Sequence, residues 1–455
     1  MKQSVVLFIA VLWCGFVAAE DWPPIPRQLP PSGITISEAN REQLQAGLDR
    51  LEKRIAASKP RLNIKAMAGS TGGRDLFADV EIFTKAVSLA LRNSEFYRPQ
   101  DVAVAQQHLD SATQRLDELA AGTFSWISEQ GLVVRGYRSQ VDNSVQPYGL
   151  VIPENLEQNR RVPIYVWLHG RNDKLTDLQF IDERQRQGGQ IRPENAIVLH
   201  PFGRSCLGWK SAAEIDVLEA VESVTARYPI DADRVVLMGF SMGGAGAWHL
   251  GAHYADHWAA VHAGAGFVDV ARYTRLTPDK YPPAYEQTLW GVYDVPKYVR
   301  NLFNLPVAAY SGELDKQKDA ADFMAEAFQE QGHTLTHLIG PGMEHKYSEA
   351  SLEEIMRQMQ AAAAKGRDRR LPTIALQTRT LRYNKIHWVE ALGLKEHWQV
   401  SRIDAEYLAD DQLKVTTRNI TSLRLRPCHY PQILASGMLS LAAVGGWAVE
   451  GCEAS

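Results

Sequence analysis

The sequence predicts an α/β protein: a doubly wound, mostly parallel sheet, preceded by a helical region and followed by a small β module. Three observations carry this expectation. Short apolar or β-branched runs at 162–168, 196–200, 234–238, 259–263, 307–311 and 334–339 alternate with helix-period stretches near 175–187 and at 211–228, 318–331 and 349–364. Strands that alternate with helices join as parallel crossovers, with ligands at the carboxyl ends of the strands. The alternation is absent before Gly131 and after Arg370. Finally, the run at 234–238 leads directly into Gly239-Phe240-Ser241-Met242-Gly243 and then a small-residue helix, which reads as strand, sharp turn and helix.

Taken in order, the chain of 455 residues has room for two or three domains. Its formal charge of -4 and pI near 6.4 supply no basic field, so neither nucleic acid nor an anionic membrane is an expected partner. Met1-Lys2, the apolar run 5–17 and Val17-Ala18-Ala19 fit a signal peptide cleaved after Ala19, which implies a secreted or periplasmic protein. Trp13 is too bulky for the position before a lipidated cysteine, so Cys14 is not read as an anchor. The remaining Cys206, Cys428 and Cys452 make no disulfide framework, although an exported chain could pair the last two, and Cys206 reads as a small buried residue.

Residues 20–125 read as a Pro-rich lead-in followed by helices at 37–57, 78–92 and 102–121. The glycines of 69–73 lack the Lys-Ser/Thr ending of a phosphate loop. Residues 126–366 form the expected catalytic domain. It opens with a hairpin of 132–141 and 145–152 around Asp142-Asn143-Ser144. Ser211-Ala212-Ala213-Glu214 has the spacing of a capping box for the helix before the 234–238 strand. The aromatic, Pro-rich segment 266–305 is placed to cover the site, and Tyr285, Trp290 and Tyr293 are its candidate substrate contacts. Residues 367–426 alternate as a small β module. From 427 to 449 there is no charged residue, and 427–455 reads as a poorly ordered or frame-changed tail rather than a membrane segment, because no basic stop signal follows it.

A serine hydroxyl becomes a useful nucleophile when a base takes its proton and a carboxylate orients that base. Ser241 sits in the G-x-S-x-G turn. Past the 307–311 strand stands Gly312-Glu313-Leu314-Asp315, and past the 334–339 strand stands Gly342-Met343-Glu344-His345. Asp315 is the expected acid, since the loop gives it more reach than Glu313, and His345 is the expected base. Glu344 is a neighbour without that geometry. For the oxyanion, the N–H of Met242 is one expected donor, and Gly170 or Arg171, after the 162–168 strand, supplies the other. The Arg171 side chain could also bind a substrate carboxylate or carbonyl. His249, His253 and His257 have i, i+4, i+8 spacing, but Leu250 stands where a zinc protease has its Glu. The sequence implies no metal and no organic cofactor.

These motifs resemble the α/β-hydrolase superfamily and, more narrowly, the catalytic domain of the prolyl oligopeptidase family. The resemblance is carried by Tyr228-Pro229-Ile230-Asp231-Ala232-Asp233-Arg234-Val235, by Gly239 to Gly244, by Gly312 to Asp315 and by Gly342 to His345. It implies Ser241, Asp315 and His345 as nucleophile, acid and base, and an acyl-enzyme mechanism on a peptide or ester. Family peptidases usually carry a long β-propeller, but only about 130 residues precede this core, many of them helical. An esterase of the feruloyl or acetyl type is therefore the alternative, and a non-catalytic binding protein on the same scaffold is a second one.

Overall fold

The computed structural model describes residues 30–60, 75–156, 160–408, 412–426, 439–442 and 446–449. The expected signal peptide, the 69–73 glycines, Cys428 and Cys452 lie outside them.

An eight-stranded sheet organises the chain, in the order β1-β2-β4-β3-β5-β6-β7-β8. β1 (Gly131–Arg138) and β2 (Val145–Ile152) form the antiparallel hairpin, with Gly131 opposite Ile152 and Arg138 opposite Val145. Ser139 to Val141 leave the expected strand because Asp142 and Ser144 close a turn there, with the Ser144 N–H on the Asp142 carboxylate at 3.1 Å. β3 (Val162–Leu168), β4 (Ile197–Pro201), β5 (Ile230–Phe240), β6 (Ala260–Gly264), β7 (Val307–Gly312) and β8 (Thr336–Gly340) follow in parallel. β3 is buried at every position, as its unbroken Val-Pro-Ile-Tyr-Val-Trp-Leu run requires of a strand covered on both faces.

Among the described residues three α-helices lie before the sheet: α1 (Glu38–Ser58), α2 (Ala78–Asn93) and α3 (Asp101–Ala121). Leu44, Leu48, Leu51 and Ile55 form one stripe on α1, and they meet Phe83, Val87 and Leu109 in a core that extends to α4 (Asp177–Arg186). Each such fully buried side chain contributes about 1.5–3 kcal/mol. α5 (Ala212–Arg227) and α6 (Met242–His253) cover one face of the sheet, with Val217, Val224, Trp248 and Leu250 against Val166, Leu168 and Leu237. The short α7 (Val270–Thr274) and α8 (Ala284–Trp290) come next, then α9 (Lys318–Gln329), and α10 (Glu349–Lys365) covers the other face through Ile355 and Met359.

The capping box is not formed. Ser211 has φ 57° and ψ -119°, outside the extended conformation of an N-cap, and its side chain caps nothing. Its hydroxyl lies 3.2 Å from the Tyr293 hydroxyl, and Glu214 turns inward.

The segment 266–305 divides into two parts. α7, α8 and the turn Pro278–Lys280 bury no residue, whereas the 3-10 stretch Val295–Asn304 buries Tyr298 and Leu302 in the sheet's core. Asn301 donates to the Ala252 and Gln377 carbonyls, at 2.7 and 3.0 Å. Only the first part has the exposure of a cap.

After α10, two four-stranded sheets share one core of Ile374, Leu376, Val389, Ile403, Val415 and Leu423. β10 (Lys385–Ile386), β11 (Val389–Leu394) and β14 (Ile420–Leu425) lie in one, and β9 (Thr373–Thr378), β12 (Ser401–Leu408) and β13 (Gln412–Arg418) in the other. The tail departs from expectation. β15 (Leu439–Ala442) pairs in parallel with β13, and β16 (Gly446–Val449) with β14. An exposed strand edge is a template of unpaired N–H and C=O groups, and these two segments cover one edge of each sheet. Among the described residues no helix is long and apolar enough to cross a membrane.

Candidate active site

β5 delivers Ser241 to a sharp turn at φ 59° and ψ -121°, and α6 starts at the next residue. A non-glycine residue at positive φ is strained and persists where its surroundings over-determine it. Here the Ser241 N–H is bonded to the Gly264 carbonyl at 2.8 Å. A Cβ on Gly243 would lie 1.9 Å from the Leu168 carbonyl oxygen, and one on Gly239 would lie 2.2 Å from that of Gly243. The two glycines of the motif are therefore required by close backbone approach, and the hydroxyl stands at the carboxyl end of the sheet.

The loops after β7 and β8 bring their residues to this hydroxyl. His345 Nε2 lies 2.8 Å from Ser241 Oγ, and His345 Nδ1 lies 2.8 Å from Asp315 Oδ2. Asp315 is buried, and its other oxygen accepts the Gln317 N–H at 2.8 Å. An ionised carboxylate only accepts, so Nδ1 carries the proton and Nε2 is left to accept from the serine. Glu313 stands apart from this relay. Its carboxylate accepts the Gly342 N–H at 2.7 Å and ties the two loops together. Glu344 is exposed.

Several supporting residues were not foreseen. The Phe240 ring packs against His345 at 5.0 Å and against Tyr347 at 4.6 Å between centroids. The Tyr347 hydroxyl lies 2.8 Å from His262 Nε2, and burial holds the His262 imidazole down at about 4, hence neutral. Tyr310 donates to the Lys346 carbonyl at 2.9 Å. Only the position of Phe240 inside the Gly-x-Ser-x-Gly motif marked any of them in sequence.

Met242 is the first residue of α6, where N–H groups have no partner inside the helix. Gly170 lies against the turn, since a Cβ there would come 3.6 Å from both Ser241 Cβ and the Phe240 carbonyl oxygen. The Arg171 side chain turns to Asp173, Nε to Oδ1 at 2.7 Å, and is half-exposed. Cys206 is half-buried rather than buried, and its thiol donates to the Asn172 carbonyl at 3.1 Å. The candidate substrate aromatics do not form one wall. Tyr285 is 67% exposed, Trp290 meets Tyr281 edge-on at 5.5 Å, and Tyr293 lies under Lys210 Nζ at 4.7 Å. His249 and His253 are buried inside α6, with rings 4.2 Å apart, while His257 falls beyond the helix on a 3-10 turn. The three imidazoles therefore line no common helix face.

Sheet order, turn and hydrogen-bonded trio together define a serine hydrolase of the α/β-hydrolase fold. More narrowly, residues 207–362 match the model of the prolyl oligopeptidase family, a stretch that contains Ser241, Asp315 and His345. Comparison with curated proteins by sequence gives no match. Among solved structures, the chain is similar to a candidate dipeptidyl aminopeptidase IV from Bacteroides ovatus, with 14% identity over 52% of this chain and 36% of that one, and a TM-score of 0.40. It is also similar to a ferulic acid esterase, with 20% identity over 51% of this chain and 98% of that one, at a TM-score of 0.39. A third is an S-formylglutathione hydrolase from Agrobacterium tumefaciens, with 16% identity over 52% and 95%, at a TM-score of 0.39. This chain thus spans about a third of the length of the Bacteroides protein.

Proposed function

We propose that the protein is an exported serine hydrolase that cleaves a peptide or ester bond through an acyl-enzyme, of the type found in prolyl oligopeptidase-family peptidases. The observation that carries this reading is the unbroken chain Ser241 Oγ, His345, Asp315, with both links at 2.8 Å. In the first half-reaction Ser241 Oγ attacks the carbonyl carbon while its proton passes to His345 Nε2. The imidazolium formed is balanced by Asp315, and the negative oxygen is received by the N–H groups of Met242 and Gly170. His345 then gives the proton to the departing amine or alcohol. Water repeats the sequence on the acyl-serine, and the acid is released.

A carboxylesterase is the second reading, and one feature favours it. Among the described residues, what precedes the hydrolase core is α1, α2 and α3, with α2 packed on β1 and β2, and these helices are not the β-propeller that restricts a family peptidase to short peptides. Labelling by a fluorophosphonate probe tests the reaction class: the wild type is expected to label and Ser241→Ala not to, and an unlabelled wild type would leave only a binding protein on this scaffold. Turnover of p-nitrophenyl acetate beside a Pro-p-nitroanilide peptide decides between the two readings, since absence of peptide turnover removes the peptidase.

A further inference from the structure

A cleft of about 630 Å³ opens beside the nucleophile turn, and neither the catalytic trio nor the cap accounts for it. Gly170 and Phe240, which flank Ser241, belong to its wall, so the cleft joins the place where the reacting carbonyl would sit. Its far wall is built from α4, the loop 187–192 and the end of β4, and carries Arg184, Arg186, Arg192, Glu183 and His200. Three guanidinium groups stand there against two carboxylates, Glu183 in the wall and Asp182 beside it, which leaves one positive charge over on a chain whose formal charge is -4. The positive charge is therefore local to the cleft.

The pairing of these groups is unequal. Arg184 is tied to Glu183, and Arg186 to Asp182. Arg192 has only neutral partners among the described residues, the carbonyls of Gly188, Gly189 and Ile191, with the last two at 3.3 and 3.0 Å. Carbonyls fix a guanidinium without cancelling its charge. Arg184 is also held in place, because its aliphatic stem lies where a Cβ on Gly149 would come within 2.6 Å. In the same wall His200 is buried, with its imidazole against the Gly188 and Gly189 backbone. Burial, together with Arg184, keeps its pKa well below 6.5, so it adds a polar atom and no charge. A guanidinium fixed by neutral carbonyls at the wall of a cleft is what an anion-binding surface presents.

We propose that this cleft takes the non-reacting end of the substrate, and that this end is an anion, a carboxylate or a phosphate-type group, received by Arg192 with Arg184 beside it. The proposal rests on the serine-hydrolase reading and adds to it the class of substrate.

The test compares three esters of similar length at pH 7.5: neutral methyl valerate, monomethyl glutarate and methyl 4-phosphonobutyrate. The readout is the ratio of kcat/KM for each anionic ester to that for the neutral one, so a variant that merely loses activity does not imitate the result. A charge-assisted contact predicts a ratio of about ten or more for at least one anion in the wild type. The larger of the two ratios identifies carboxylate or phosphate-type chemistry. Arg192→Gln is expected to bring the ratio towards one and Arg192→Glu to invert it. A wild-type ratio near one, or a ratio unchanged in both variants, overturns the proposal. If none of the three is turned over, the same comparison is made by protection of Ser241 from the fluorophosphonate probe, where equal protection by all three, or none, overturns it. A wild type that takes no probe at all refutes the hydrolase reading instead.

Discussion

Each of the two additions to the hydrolase core has a buried carboxylate among its contacts with it, but the chemistry of the two joints differs. On the N-terminal side Asp79 of α2 receives Arg135 of β1 through two bonds, at 3.0 and 2.8 Å, with the Gly136 N–H at 2.7 Å and the Trp126 indole at 3.1 Å. Burial alone would raise this carboxyl, yet Arg135 and Arg227 hold it far below the usual range. On the C-terminal side Glu214 of α5 receives the hydroxyls of Tyr254 and Tyr383 at 2.6 and 2.8 Å, Arg382 at 2.9 Å, and has His249 at 2.7 Å. Burial again opposes ionisation, and His249 leads the groups that bring the carboxyl down to about 2. One joint is a permanent ion pair that excludes water, whereas the other relies on hydroxyls, an imidazole and a half-exposed Arg382. A buried pair of charges gives strength that is forfeited whole when either partner goes, and a carboxylate shared among several donors gives strength that is lost in parts.

The largest effect should therefore come from Asp79→Asn, which leaves Arg135 buried beside no counter-charge. A loss of about 3–5 kcal/mol is expected in denaturant unfolding, and a loss below that of any single change around Glu214 would break the contrast. Acidification should come next. The buried imidazoles have depressed values, His108 at about 4 on the N-terminal side and His249 and His253 below 6.5 at the Glu214 joint. Below pH 6.5 the unfolded chain takes protons that the folded chain refuses, so stability falls as pH drops from 6.5 through about 4. The carboxylates act in the same direction lower down, with the contribution of Glu214 intact above 4.5 and lost as pH falls through about 2. Because two imidazoles line the C-terminal joint, amides around 381–391 should lose hydrogen-exchange protection before those of α2; the reverse order would refute it. Tyr383→Phe should have the smallest effect. It removes one of four donors and should cost about 1.5 kcal/mol, while fluorophosphonate labelling of Ser241 persists.

Residues whose chemistry depends on position along the chain were readable in sequence. Ser241, Asp315 and His345 each follow a short apolar or β-branched run in a fixed order, and the structure brings them within hydrogen-bond reach. Glu214 was misread for the opposite reason. Its spacing from Ser211 suits a local cap, but its donors come from Tyr383 and Arg382, far along the chain, and a long-range partner leaves no local signal. His249 and His253 were weighed as metal ligands by their spacing, although what they meet is Glu214 and the Tyr383 ring, 3.7 Å from that of His253. The pairing of β15 and β16 was invisible because parallel pairing between distant segments has no turn to announce it. The cationic cleft was missed because its arginines lie on a helix and a loop, with no shared period.

Glu214 also bears on the order in which the molecule can be completed. Tyr383 and Arg382 lie 169 and 168 residues further along the chain, so during synthesis the carboxylate is made long before two of its donors. At about 5–20 residues per second, the nascent hydrolase core waits of order ten seconds or more with that acid incompletely satisfied. The β module is then the last step in closing the interior of the enzyme, and a ribosome that stops short of it releases a core with an open seam.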